Sequence, residues 1–215
     1  MNITEGVYSL DCAGYGHVFY LEDEQALIDT GLPNKGNRIL QELSCLGIKP
    51  EDIRRILLTH HDVDHAGNVR FLEEKTGAEV FIGKEDLPYL MNQAARPGIK
   101  KYLQKFLHVV PPKYCKPLEA PGNSVAIQMY HTPGHTPGHH VFLYGGVLFA
   151  GDLFRIEGTH IKKIPSRMNW NGELLANSIS LLKKIPFTLV CPSHGNPMTR
   201  EKLLPLIEQL WGNQS

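Results

Sequence analysis

Hydrophobic and polar positions along this chain change period several times, and the changes divide it into short strands and longer helices. GVYSL (6–10), HVFYL (17–21) and QALID (25–29) are brief apolar runs separated by glycine and acidic turn residues, and they predict strands. GNRILQELSCLG (36–47) switches to helical spacing. Ile39, Leu40, Leu43 and Leu46 share one face, and Gly47 suits the C-terminal stop. IRRILLT (53–59) reads as a buried strand, AGNVRFLEEKTG (66–77) as a helix and AEVFIG (78–83) as another strand. Further on, VAIQMY (125–130), HVFLYG (140–145) and VLFAG (147–151) read as strands, the last two turning at Gly145-Gly146. A helix over about 172–184, a strand at FTLVC (187–191) and a final helix over about 199–211 complete the pattern.

Strands and helices alternate in both halves, which predicts an α/β fold with sheets covered by helices. No repeat, low-complexity tract or linker interrupts the pattern. The 215 residues suit a single domain, 1–215, with a sizeable core.

Composition mainly excludes. A hydrophobic fraction of 42 % is that of a soluble globular chain, and 22 Lys plus Arg balance 22 Asp plus Glu. No net field therefore points to nucleic acid or an anionic membrane. No apolar run approaches the ~20 residues needed to span a bilayer. MNITEGVYSL lacks the basic stretch and apolar run of a signal peptide. Cys12, Cys45, Cys115 and Cys191 form no CxxC pair, so four reduced thiols and a cytoplasmic location are expected.

The histidines change the picture more. Of eleven, three fall in 60–65 and four in 131–140. In THHDVDHAG (59–67), His60, Asp62, Asp64 and His65 follow the strand that ends at Thr59. His135 lies in HTPGHTPGHH (131–140), Asp152 follows VLFAG, and His194 follows FTLVC. A lone histidine is usually just solvated, and Asp152 alone would read as a turn or cap residue. Four strands that each end on a potential ligand point instead to a metal centre, because open α/β sheets collect their sites at such ends. Neutral imidazoles and carboxylates suit first-row divalent cations. Seven ligands exceed the need of one tetrahedral ion. Two ions with a bridging carboxylate would use them all.

THHDVDHAG, TPGHTPGH, LFAGD and PSHG, in that order, resemble the metallo-β-lactamase fold superfamily, and LIDTG (27–31) matches its early Asp-Thr-Gly turn. The resemblance covers nearly the whole chain and implies a four-layer αββα sandwich with two metals at one edge. Carried over by position, His60, Asp62 and His135 would hold the first ion. Asp64, His65 and His194 would hold the second, and Asp152 would bridge them. The ions implied are divalent, zinc in the first place, with manganese or iron as alternatives.

The departure is Asp62, which stands where the family pattern, and the similar THHHxDH run of glyoxalase II, has a second histidine. His61 is one residue out of register, and in an extended segment i+1 points opposite to i and i+2. Asp62 therefore reads as a substituted ligand. A harder, anionic ligand is expected to lower the positive charge of the first site, favour manganese or iron and make a bound water less acidic. The competing reading is a degenerate first site.

Other polar groups are less specific. Leu87 to Leu118 holds no acidic residue but carries Arg96, Lys100, Lys101, Lys105, Lys113 and Lys116. Within it, IKKYLQKFLHVV puts Ile99, Tyr102, Leu103, Phe106 and Leu107 on one helical face and lysines opposite. That predicts a helix with a solvated lysine face, or a lid or homodimer surface whose cations attract an anionic small molecule. Tyr15 and His17 are placed to overhang the metals, His139 and His140 read as packing residues, and Asp29 is expected to orient a metal ligand. His131, His160 and Arg167 belong to no pattern.

The function expected is a metal-dependent hydrolase. A metal-activated hydroxide would attack an ester, thioester, lactone or amide of a small molecule, with Asp64 and Asp152 as the catalytic carboxylates. No GxSxG elbow offers a serine nucleophile. The alternatives are an iron-dependent oxidoreductase or dioxygenase on the same fold, or a non-catalytic metal-binding protein.

Overall fold

Short apolar runs with nearly every residue buried need a sheet covered on its faces, and the N-terminal half builds one. In the computed structural model, which describes residues 1–11, 14–96, 100, 109–118 and 126–212, the chain forms two compact units, Met1–Leu118 and Glu119–Ser215. The first holds seven strands in sequence order: β1 (Asn2–Thr4), β2 (Val7–Leu10), β3 (Val18–Leu21), β4 (Ala26–Ile28), β5 (Arg55–Leu57), β6 (Glu79–Ile82) and β7 (Lys116–Pro117). Pairing is antiparallel from β1 to β4 and parallel from β4 to β7. Ile28 pairs with Leu57 and Leu57 with Phe81, so β4, β5 and β6 end together.

Helix α1 (Gly36–Cys45) buries Ile39 and Leu43, four residues apart, and α3 (Val69–Thr76) buries Val69 and Leu72. Both join the core made by Leu27, Ile56 and Val80 of the sheet. Each such aliphatic side chain contributes about 1.5–3 kcal/mol on burial.

The helix expected over 66–77 is in fact two, α2 (Val63–Ala66) and α3, interrupted at Gly67 and Asn68. The cause is tertiary. A Cβ on Gly67 would lie 2.5 Å from the Gly31 carbonyl oxygen. The Asn68 amide donates to the Thr30 and Leu32 carbonyls and accepts from the Lys35 and Gly36 N–H groups. A short helix, α4 (Leu87–Leu90), follows β6. Of the helix expected over 99–110, residue 99 and residues 101–108 lie outside the described residues.

The second unit holds a five-stranded sheet in the order β14-β13-β10-β9-β8. Its strands are β8 (Gln128–His131), β9 (His140–Tyr144), β10 (Val147–Gly151), β13 (Leu189–Pro192) and β14 (Met198–Thr199). A separate ribbon pairs β11 (Arg155–Glu157) with β12 (His160–Lys162). Gly145 and Gly146 both take positive φ, which a two-residue turn between β9 and β10 requires. Helices α5 (Gly172–Leu181) and α6 (Arg200–Trp211) bury Leu175 and Ile179, and Leu203, Ile207 and Trp211, against Leu148, Ala150 and Val190. The helix expected to reach 184 ends at Leu181 and tightens into a 3₁₀ turn over Leu182–Lys184. Cys45, Cys115 and Cys191 carry no disulfide, and Cys12 lies outside the described residues. No described helix is long and apolar enough to cross a membrane.

Candidate metal centre

In the first unit the shared ends of β4, β5 and β6 deliver Asp29, the His60–His65 segment and Asp86 to one sheet edge. Asp29 is buried and adopts φ +62°. It accepts hydrogen bonds from the Thr59 N–H (2.8 Å) and from His65 Nδ1 (2.8 Å), and the Thr59 hydroxyl lies 2.8 Å from its Oδ2. With its proton given to Asp29, the Thr59 hydroxyl accepts from His60 Nδ1 at 3.0 Å. Asp29 therefore orients His65 directly and His60 through Thr59. The Asp-Thr-Gly turn adds a second hold, since Thr30 donates from its hydroxyl to the His65 carbonyl at 2.8 Å.

Two backbone conformations aim the ligands. His60 and Asp62 precede α2 on the strand exit, whereas Asp64 and His65 sit on its helical turn. His60 Nε2 lies 3.5 Å from Asp62 Oδ2, and His65 Nε2 lies 3.8 Å from Asp64 Oδ2. His61 points the other way, as alternation predicts. Its Nδ1 is 2.8 Å from Asp86 Oδ2 and its ring stacks on Tyr89. His17 turns to Ser9 Oγ at 3.2 Å, and Tyr15 is exposed.

In the second unit β8, β10 and β13 run in one direction, so His135, Asp152 and His194 leave the sheet at the same edge. Asp152 Oδ2 is 3.5 Å from His135 Nε2, and its Oδ1 is 3.1 Å from His194 Nε2. His135 Nδ1 donates to Asn169 Oδ1 at 2.9 Å, and the His135 carbonyl accepts from the Trp170 N–H at 3.1 Å. Gly134 at φ +140° lets this loop lie on α5, where a Cβ would come 2.3 Å from the Leu175 backbone.

His139 proves to be more than packing. Its Nε2 accepts from the Asp152 backbone N–H at 3.0 Å, so its proton sits on Nδ1 and faces Thr132 Oγ1 at 2.9 Å. It anchors the start of the Asp152 loop. His131 and His140 fasten the 131–140 turn through the Pro137 and Gly138 carbonyls. His160 is exposed beside Thr159. Neither Asn169 nor Asp86 belongs to a spacing pattern, and nothing local in the chain singles them out.

Within the basic segment, Lys100 and Arg96 differ from expectation. Lys100, expected on a solvated face, is buried at 5 % exposure, with Nζ 2.5 Å from Asp62 Oδ2. A desolvated carboxylate requires a counter-ion, and this lysine supplies it. Arg96 is buried as well. Burial pulls its guanidinium below the ordinary arginine pKa, and Asp62, Asp86 and Asp64 oppose that shift. Lys113 pairs with Glu74 at 3.2 Å and Lys116 with Glu79. Four of the six cations named above thus face carboxylates, and Lys101 and Lys105 lie outside the described residues.

The donor set fits divalent metal ions. His60, His65 and His135 each place Nδ1 on an oxygen partner and turn Nε2 toward a carboxylate, which fixes the tautomer that a metal ligand needs. The imidazoles and carboxylates gathered at the sheet edge of each unit are of a kind that suits zinc, manganese or iron. Replacing Asn169 by alanine is expected to weaken metal binding about 10–100-fold, with Asn169→Asp restoring it, because only an oxygen acceptor holds His135 in place. Competition with a chelating dye measures both; equal affinity in Asn169→Ala and wild type would refute that role.

Residues 13–194, spanning both units, match the model of the metallo-beta-lactamase superfamily. The chain is 27 % identical over 184 residues to the probable metallo-hydrolase YybB of Bacillus subtilis (strain 168), across 83 % of this chain and 80 % of that protein. Among solved structures it is similar to the metallo-beta-lactamase family protein TTHA1429 from Thermus thermophilus, with a TM-score of 0.76 at 24 % identity, covering 98 % of this chain and 80 % of that one. It is also similar to TTHA1623 in a di-iron-bound form, with a TM-score of 0.64 at 27 % identity, covering 95 % and 92 %. The mixed sheets with flanking helices agree with the α/β fold expected from the sequence. On its motifs, its fold and the extent of the family match, the chain belongs to the metallo-β-lactamase superfamily.

Proposed function

We propose that this chain is a metal-dependent hydrolase that cleaves an ester, thioester, lactone or amide in a small molecule at a binuclear centre. Of the seven candidate ligands, His60, Asp62, Asp64 and His65 lie in Met1–Leu118, and His135, Asp152 and His194 lie in Glu119–Ser215. His60, Asp62 and His135 would hold the first ion, Asp64, His65 and His194 would hold the second, and Asp152 would serve both. The observation that carries the reading is the common orientation of His60, His65 and His135, each with Nδ1 bonded and Nε2 turned to a carboxylate. When bound, such an ion pair supplies an acidified water as nucleophile and a Lewis acid for the oxyanion.

The protein's own groups do the rest. Asp29, Thr59 and Asn169 hold the Nδ1 side of the imidazoles and aim Nε2, and His139 fixes where Asp152 begins. Asp64 is the most open of the three carboxylates, at 18 % against 11 % for Asp62 and 7 % for Asp152, and it passes protons between water and the scissile group. Covalent catalysis by Cys115 or Cys191 is disfavoured, because desolvation pushes both thiols up to about 12.

The test is metal per chain by mass spectrometry on protein purified without a histidine tag, followed by an ester, thioester, lactone and amide panel. About two zinc or manganese ions are expected. Asp152→Ala should lose one ion and reduce kcat/KM by more than the ~10–100-fold typical of losing an outer-shell partner. One ion or fewer in the wild type, with no recovery on adding metal, would sink the binuclear reading. Iron would favour oxygen chemistry on the same scaffold, the reading that the hard Asp62 ligand and the similarity to the di-iron form of TTHA1623 support.

A further inference from the structure

Asp62 occupies the N-cap of α2 in extended geometry, yet its carboxylate makes no capping hydrogen bond. An aspartate there ordinarily satisfies a helix N–H. Here Oδ2 turns instead to Lys100 Nζ, 38 residues away and 2.5 Å distant, with both side chains almost sealed from solvent. The same oxygen lies 3.5 Å from His60 Nε2. That is roughly the separation of two donors each about 2 Å from one ion. Asp62 Oδ2 thus faces both an ammonium that is present and the place where a metal donor belongs. Among the described residues, His61, whose Nε2 is 3.9 Å from Asp62 Oδ1, and the Arg96 guanidinium also face Asp62.

We infer that Lys100 is a built-in rival of the first metal ion for Asp62, so that the first site binds its ion more weakly than the second and fills after it. This rests on the binuclear reading above and adds an order of filling to it. An incoming dication must displace the ammonium from Oδ2 or bind Asp62 beside it. Either way two like charges meet in a buried setting that salt screens little. Lys100 also alters the meaning of Asp62. A carboxylate and an ammonium together carry no net charge, as a neutral imidazole does, so the pair keeps the charge of a family-pattern site while supplying an oxygen ligand. The lowered site charge expected from Asp62 alone is thereby cancelled.

The experiment is calorimetric titration of the whole metal-free protein with zinc, comparing wild type, Lys100→Met, Lys100→Arg and Asp62→Asn/Lys100→Met against Asp62→Asn. Wild type should show two events at least tenfold apart. Lys100→Met should tighten the weaker event at least tenfold and leave the tighter one in place. Lys100→Arg, which keeps the charge, should leave the weak event weak, and in the Asp62→Asn background, where no carboxylate is contested, removal of Lys100 should tighten that event less. Weakening or loss of the weak event in Lys100→Met would overturn it and make Lys100 a prop for Asp62; so would an unchanged titration. One event or none in every variant would overturn the binuclear reading itself. Circular dichroism of each metal-free variant checks folding. If Lys100→Met is unfolded without metal, Lys100→Gln replaces it in the same comparison.

Discussion

An Asp29→Ala variant is expected to lose about 3–5 kcal/mol of stability, the cost of removing one partner from a buried charged network. Metal affinity should fall about 10–100-fold with it. Asp29 takes hydrogen bonds from the Thr59 N–H and from His65 Nδ1, and its Oδ2 lies 2.8 Å from the Thr59 hydroxyl. Alanine leaves those donors buried without an acceptor, and each costs about 1–3 kcal/mol. It also places a Cβ-bearing residue at φ +62° without the local hydrogen bonds that make that conformation tolerable for aspartate. Because Thr59 aims His60 and Asp29 aims His65, one substitution loosens two imidazoles. Urea unfolding and zinc titration of the same protein measure the two losses. A stability change under about 1 kcal/mol would show that water replaces the carboxylate without penalty, and would remove Asp29 as the organiser of this edge.

Gly195→Ala is expected to be more severe, costing at least about 4 kcal/mol or preventing soluble folding. Gly195 adopts φ +109°, and a Cβ there would come 1.8 Å from the Ile156 carbonyl oxygen. The chain at 194–195 runs alongside β11, with the Ile156 N–H donating to the His194 carbonyl at 3.0 Å. Relief of the clash requires β11 and the His194 turn to separate, so the variant should lose an ion as well as stability. Gly158→Ala is the control. Gly158 also has positive φ, +60°, but nothing lies within 4 Å of its would-be Cβ. Only the backbone cost of about 1–2 kcal/mol applies there. Similar melting temperatures for the two variants would refute the steric argument.

Much of this was legible in the chain itself. Apolar periodicity located β2–β6, α1 and the C-terminal helices to within a few residues, because period 2 and period 3.6 report local conformation directly. Local spacing also placed the seven candidate ligands after strand ends, and strand alternation separated His61 from His60 and Asp62. It failed at 66–77, where helical periodicity continues through Gly67 and Asn68 but the packing of Gly67 on Gly31 and the Asn68 side chain interrupt the helix. The reading of Lys100 failed for a related reason. Lys100 has the sequence surroundings of a solvated face, and only the position of Asp62 makes it a buried counter-ion.

The chain's local patterns thus determined which residue types stand at which strand ends, and through them the chemistry available. The sequence marked Asp29 as a support but not its partner; tertiary structure decided the pairings, Asp29 on His65 across 36 positions, Asn169 on His135 across 34 and Lys100 on Asp62 across 38. The Asp29–His65 pairing depends on β4 and β5 being parallel neighbours that end in register, and the other two depend on how loop and helix residues pack on the strand ends. No periodicity within a single segment carries that information, because it is set by sheet order and packing rather than by spacing along the chain.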